Sequence, residues 1–215
     1  MTTTLYGRRS SCNVQKVMWL LAELDVAHEH IELGGDFGGL DSAEFLAMNP
    51  HGRVPVLRDG DTAVWESDAI LRYVAAQYGD GKLWPADPRE RADVDAWLAW
   101  AETTLQPPWI ELFWRAVRTP PEMQKPEIIA RLLRAATSCF ETLDRRLAQH
   151  AYLAGDRFSL ADIPAGMTLF RWFEMKIERP DTPHVERWYA SLKERSAYRT
   201  AICIPFDELI GKLGH

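Results

Sequence analysis

Asn49-Pro50-His51-Gly52-Arg53-Val54-Pro55-Val56-Leu57 is the stretch on which the reading of this chain turns. Gly52 supplies the backbone freedom that a tight turn requires. The run from Val54 to Leu57, rich in β-branched residues, reads as a short strand. Pro55 falls inside that strand and can donate no ladder hydrogen bond, so it belongs at a sheet edge, at a bulge or after a cis bond. If the Val54–Pro55 bond is cis, the N–H and C=O of Val54 face outward and can pair with an extended peptide, which is capture by strand addition. If it is trans, the segment is an ordinary edge strand. The stretch alone leaves both readings open.

Working outward, Thr2 to Tyr6 reads as a strand, residues 7–11 as a turn, and the following segment as a helix with Val14, Val17, Met18, Leu21 and Leu24 on one face. Ser11 or Asn13 is a suitable N-cap. His28 to Leu33 forms a second strand, which completes a βαβ unit. Gly34-Gly35-Asp36-Phe37-Gly38-Gly39 matches neither the dinucleotide nor the P-loop spacing and reads as a surface loop. Asp41 to Met48 suits a short helix. On the other side of the central stretch, Asp59-Gly60-Asp61 is a hairpin turn, Ala63 to Trp65 the returning strand, and Ser67 the cap of a helix carrying Ile70, Leu71, Tyr73 and Val74.

Leu83 to Pro88 reads as a linker, and Asp87-Pro88-Arg89-Glu90 as a helix start. Strand signals become sparse beyond it. Pro107-Pro108 is expected to break or kink the first long helix. A second helix begins near Pro126, with a stripe from Ile129 to Leu147. In Phe158-Ser159-Leu160-Ala161-Asp162-Ile163, Ser159 and Asp162 read as a capping box and Phe158 as a staple onto Ile163. Pro164 should distort the turns that follow, and Pro183 opens a later helix.

The composition narrows the function classes. The chain has 215 residues and a net charge of −6, which argues against a nucleic-acid partner. Its 3 cysteines, an odd count with no C-x-x-C pair, argue against a disulfide framework or a zinc site, so no metal is expected. A reducing cytoplasm suits that cysteine usage. No apolar run approaches membrane length, and the N-terminus lacks an apolar signal core.

The Asn49–Leu57 stretch, the strand-turn-helix opening, Trp65-Glu66-Ser67-Asp68-Ala69-Ile70 and the Phe158–Ile163 string together resemble the soluble glutathione S-transferases, over nearly the whole chain. The resemblance implies a thioredoxin-like α/β domain at residues 1–80 with a mixed four-stranded sheet, a linker at 81–88, and an all-helical domain at 89–215. It implies glutathione as co-substrate, a homodimer, and attack of the glutathione thiolate on a small apolar electrophile. The serine of the family's S-x-x-x-x-[KR]-V pattern falls on Ser11, six residues before Val17, and Asn13 matches a second thiol contact in bacterial forms. Ser10 and Cys12 are the neighbouring alternatives, and Tyr6 reads as packing. Glu66 and Ser67 would hold the γ-glutamyl end, Arg53 and His51 the glycyl carboxylate, and Val54, before Pro55, the cysteinyl backbone. Arg8 and Arg9 either add positive potential or are solvated surface. Trp100, Trp109 and Phe113 are candidates for the electrophile pocket, although helical spacing alone places them in a core. Glutathione-dependent disulfide reduction, isomerisation and non-catalytic ligand binding stand as the competing functions.

Overall fold

The computed structural model describes residues 3–213. β1 (Thr3–Tyr6), α1 (Cys12–Glu23) and β2 (His28–Ile31) form the expected βαβ unit, with β1 and β2 parallel and Tyr6 opposite Ile31. β2 ends at Ile31, short of Leu33, because the backbone turns into the loop where Gly34, Gly35, Gly38 and Gly39 all take positive φ. After α2 (Ala43–Met48), whose N-cap Ser42 accepts a hydrogen bond from the Phe45 amide, come β3 (Val56–Asp59) and β4 (Thr62–Trp65). These two pair antiparallel across a turn at Gly60-Asp61, and β3 pairs antiparallel with β1. The result is one mixed four-stranded sheet in the order β2-β1-β3-β4. Pro55 lies just before β3 rather than inside it, and so interrupts no ladder.

The rest of the chain is helical: α3 (Ser67–Tyr78), α4 (Ala92–Trp100), α5 (Gln106–Phe113), α6 (Pro126–Leu147), α7 (Asp162–Glu174), α8 (Pro183–Lys193) and α9 (Ser196–Ile202). Asp87 caps the turn before α4, its Oδ1 accepting from the amides of Arg89 and Glu90. Pro107-Pro108 do not break the helix as the sequence suggested. They follow the π-helical segment Ala101–Leu105, which joins α4 to α5 in continuous helical backbone, and its wider turn accommodates two residues that lack an N–H. A second π-helical segment, Trp114–Arg118, follows α5. Pro164 is likewise accommodated in the first turn of α7.

The two halves share one core. α1 is buried on nearly every side because it packs on α3, α7 and α9 at once. Its Trp19 is fully buried against Tyr198 and Phe158, at centroid distances of 4.8 and 5.6 Å. Phe158 therefore packs on Trp19, in the same buried cluster as Ile163. Gly166 lets α7 approach, since a Cβ there would stand 2.9 Å from Leu192 and 3.0 Å from the Trp19 ring. Beside it Glu23 takes two hydrogen bonds from Arg195, at 2.7 and 2.6 Å. The Ser159/Asp162 motif forms the acidic half of a capping box, the Asp162 side chain reaching back to the Ser159 amide, while the Ser159 hydroxyl donates to that same carboxylate. The buried Asp162 carboxylate also accepts from the Leu153 amide, which ties the 152–159 loop to α7.

Candidate active site

Gly7 ends β1 and turns the chain toward α1. Its φ of +142° suits glycine, and a Cβ there would meet Val14 at 2.5 Å and Val54 at 2.9 Å. This close approach sets the start of α1 beside the Val54–Pro55 segment, whose peptide bond is cis. Between that segment and α5 lies a cleft of about 520 Å³. Ser11, Asn13, His51, Arg53, Val54 and Phe113 all line it.

Ser11 is the N-cap of α1 with extended backbone, φ −77° and ψ 122°, yet its hydroxyl makes no capping hydrogen bond. The side chain is thus available to the cleft, at the positive end of a 12-residue helix whose first turn carries no acid. The Ser10 carbonyl is held from behind by Arg171 Nη2 at 2.6 Å. Asn13 Oδ1 accepts from Gln106 Nε2 at 3.1 Å, which fixes the amide across the two halves. Cys12 is buried, and Tyr6 is packed edge-on against Phe45 at 6.5 Å.

The loop on the opposite wall is held by the buried Asn49, which donates from Nδ2 to the Arg53 carbonyl at 2.7 Å and accepts at Oδ1 from the His51 amide at 3.0 Å. His51 rests edge-on against Trp65, centroids 5.1 Å apart. Val54 stands outside both strand ladders.

Glu66, Ser67 and Pro55 are not among the residues lining that cavity. Ser67 is the first residue of α3 and not its cap. The cap position is Glu66, whose φ of +68° and ψ of 121° are rare for a residue with a side chain and cost on the order of 1–3 kcal/mol. Ser67 is buried, and its Oγ accepts from Lys16 Nζ at 3.3 Å. Lys16 is itself fully buried, donating to Glu102 Oε2 at 2.8 Å and lying 3.9 Å from Asp68 Oδ1. Burial pushes the Asp68 carboxyl up to about 6, against the pull of Lys16.

Trp109 and Trp100 do not line the cleft. Trp109 is fully buried, stacked behind Phe113 at 6.3 Å, and Trp100 pairs with Trp97 at 5.2 Å. The helical wall is instead made by Ile110, Phe113 and Trp114 with Gln106, because one face of α5 and of its π-helical extension turns toward the cleft. Lys16, Asn49, Glu102, Gln106, Arg118 and Arg171 were not picked out from the sequence. A lysine beside Val17 and Met18 on the apolar side of α1, and an arginine inside Phe170-Arg171-Trp172-Phe173, were the signals for two of them. Asn49 stood at the head of the stretch quoted first, without a role assigned to it, and the others carried none. Among the described residues no cluster of His, Cys, Asp or Glu could hold a metal ion, and no helix is long and apolar enough to cross a membrane.

Residues 1–76 match the family model described as glutathione S-transferase, N-terminal domain, and residues 105–195 the one described as glutathione S-transferase, C-terminal domain. Residues 42–118 also match a model described as outer mitochondrial membrane transport complex protein, over less than half of the chain. Glutathione S-transferase GstB of Escherichia coli is 40% identical over 204 residues, 94% of this chain and 98% of that protein. The theta class glutathione S-transferase of Xanthomonas axonopodis pv. citri, solved with glutathione bound, superposes with a TM-score of 0.91 at 44% identity, covering 95% of this chain and 98% of that one. Glutathione S-transferase I from maize, in complex with an atrazine glutathione conjugate, gives 0.84 at 26% identity, over 94% and 97%. On its sequence, its sheet order and its helical second half, the chain belongs to the glutathione S-transferase family.

Proposed function

We propose that this glutathione transferase activates the thiol of glutathione at Ser11. The observation that carries the reading is the Ser11 hydroxyl, free of any capping bond at the N-terminus of α1 and facing the cleft beside Asn13 and Val54. A free thiol has a pKa of about 8.5. Lowering it by about two pH units takes roughly 2.7 kcal/mol of preferential thiolate stabilisation, within reach of a hydroxyl donor combined with a helix N-terminus. The thiol releases its proton to solvent, and the serine donates its O–H to the thiolate that remains. The sulfur then attacks the electrophilic atom and the leaving group departs with its electron pair.

The remaining residues suit a short peptide with two carboxylates. Lys16 occupies the lone pair of Ser67 Oγ and leaves the Ser67 O–H to donate to a carboxylate. Glu66 offers a counter-charge for an ammonium group. Arg53, with His51 beside it, suits the carboxylate at the other end, and Val54 the peptide backbone between them. Residues 1–80 would supply the glutathione half of the site and residues 89–215 the electrophile half. The three cysteines are unpaired, which suits a cytoplasmic enzyme. We read the molecule as a homodimer, because Ile129, Leu132 and Leu133 on α6 are only partly covered in the single chain. Light scattering at micromolar concentration tests that assembly.

The test of the mechanism is Ser11→Ala beside Cys12→Ala. Ser11→Ala should raise the pKa of bound glutathione, followed by thiolate absorbance, and cut conjugation of a model aryl halide severely. Cys12 also lines the cleft, but the offset from Val17 assigns the thiolate contact to Ser11, so Cys12→Ala should keep most of that activity. A dead Cys12→Ala variant, or a glutathione adduct on Cys12 after treatment with oxidised glutathione, would show thiol exchange through the cysteine instead.

A further inference from the structure

The face of α5 that meets the cleft is apolar at Ile110 and Phe113 and polar at its first residue, Gln106. Gln106 follows the π-helical segment Ala101–Leu105. A π turn holds an extra residue and so shifts which face of the helix beyond it is presented. Here Gln106 comes to the cleft, where its Nε2 donates to Asn13 Oδ1 at 3.1 Å across the two halves of the chain. Its other end, Oε1, is buried without a hydrogen-bond partner. The orphaned carbonyl fixes which end of each amide points where. With both amides turned over, the unpartnered buried group would be an NH2 with two N–H donors, and orphaned buried donors are rarer than under-satisfied carbonyls. Asn13 stands two residues after Ser11, in the first turn of α1, and lines the same cleft. Its Oδ1 is taken by Gln106, and among the described residues its Nδ2 donates to no group.

We propose that Gln106 is a positioning residue for the thiolate: by occupying Asn13 Oδ1 it turns the Asn13 NH2 toward the sulfur held at Ser11. The last torsion of an asparagine is broad and roughly two-fold, so an unrestrained Asn13 would present its carbonyl and its NH2 alike. The two ends act with opposite sign. An N–H donor lowers the pKa of the thiol by bonding to its charged form, whereas a carbonyl oxygen set against the sulfur disfavours the thiolate. Gln106 acts through Asn13, from the helical half of the chain. This role rests on the assignment of the sulfur to Ser11.

The pKa of bound glutathione, read from thiolate absorbance against pH, tests it in a cycle of Gln106→Met, Asn13→Ala and the double variant. Gln106→Met keeps the length of the side chain and removes the donor. It should raise that pKa by at least about half a unit, a fraction of what one hydrogen bond to a charged group contributes. The Kd for glutathione should stay unchanged in acid, where the bound group is the neutral thiol. In the Asn13→Ala protein the same substitution should shift the pKa no further. Gln106→Glu reads the same coupling if Gln106→Met does not fold. Its carboxylate only accepts, so it turns the Asn13 carbonyl toward the sulfur. It should raise the pKa more in the intact background than beside Asn13→Ala, where its charge alone acts. An unchanged pKa in Gln106→Met, or shifts of equal size with and without Asn13, would overturn the proposal and leave Gln106 as a contact between the two halves. A shift on Ser11→Ala with none on Asn13→Ala would also overturn it while the Ser11 mechanism stands. No shift on either would overturn both.

Discussion

Asp68→Asn should make the protein more stable at neutral pH and leave it unchanged in acid. Asp68 follows Ser67 in the first turn of α3, with its side chain 14% exposed. Its Oδ1 is 3.9 Å from Lys16 Nζ, close enough for attraction between charges, yet it accepts no hydrogen bond. Oδ2 lies 4.0 Å from Arg72. Desolvation outweighs the pull of Lys16, and the pKa rises from 3.8 to about 6. A carboxyl with a higher pKa in the fold than in the unfolded chain binds its proton more tightly when folded. Stability therefore falls as pH rises through the window between those two values, and the loss is complete above it. About two pH units correspond to ~3 kcal/mol. Asparagine copies the shape and neutrality of the protonated acid, and Lys16 keeps its bonds to Ser67 and Glu102. The variant should match the wild type near pH 4 and exceed it by up to ~3 kcal/mol at pH 7.5. Urea unfolding followed by tryptophan fluorescence across this range gives the difference directly. A difference independent of pH, or a wild type more stable at pH 7.5, would refute the reasoning.

Lys16→Met leaves Asp68 and Glu102 near each other without the ammonium between them, and should cost ~3–5 kcal/mol at pH 7.5, read by the same unfolding experiment. Trp109→Ala should cost a similar ~3–5 kcal/mol, because it empties a fully buried site; unchanged stability with altered electrophile selectivity would instead return Trp109 to the cleft. Arg53→Ala should weaken glutathione binding by about 1.5–3 kcal/mol in calorimetry, the value of a hydrogen bond to a charged group, and an unchanged Kd would remove Arg53 from the site.

The local elements were legible because their causes are local. The Asp59-Gly60-Asp61 turn marked the β3–β4 hairpin, and helical spacing from Val14 to Leu21 marked α1. Asp87 caps its turn through amides two and three residues on. Pro107-Pro108 misled because a proline removes its own N–H and its ring crowds the carbonyl one turn back, and a locally widened turn relieves both. The π-helical segment Ala101–Leu105 carries the backbone past the pair. Likewise Ser67 carried the right residue type for a cap, but the chain places the cap one residue earlier, at Glu66 with positive φ.

The sequence by itself determined the βαβ opening, the hairpin, the helix starts and a resemblance strong enough to nominate Ser11, Asn13, Arg53 and Val54. Only the tertiary structure decided what surrounds them. Arg171 reaches the Ser10 carbonyl across 161 positions, Gln106 reaches Asn13 across 93, and Lys16 reaches Glu102 across 86. Which aromatic residue faces the cleft was also settled there, with Phe113 lining it and Trp109 behind in the core. Periodicity places a residue on a helix face, but the partner of that face depends on how helices distant in sequence pack around α1. That packing is set by side-chain volume and burial over the whole core, which no local stretch encodes.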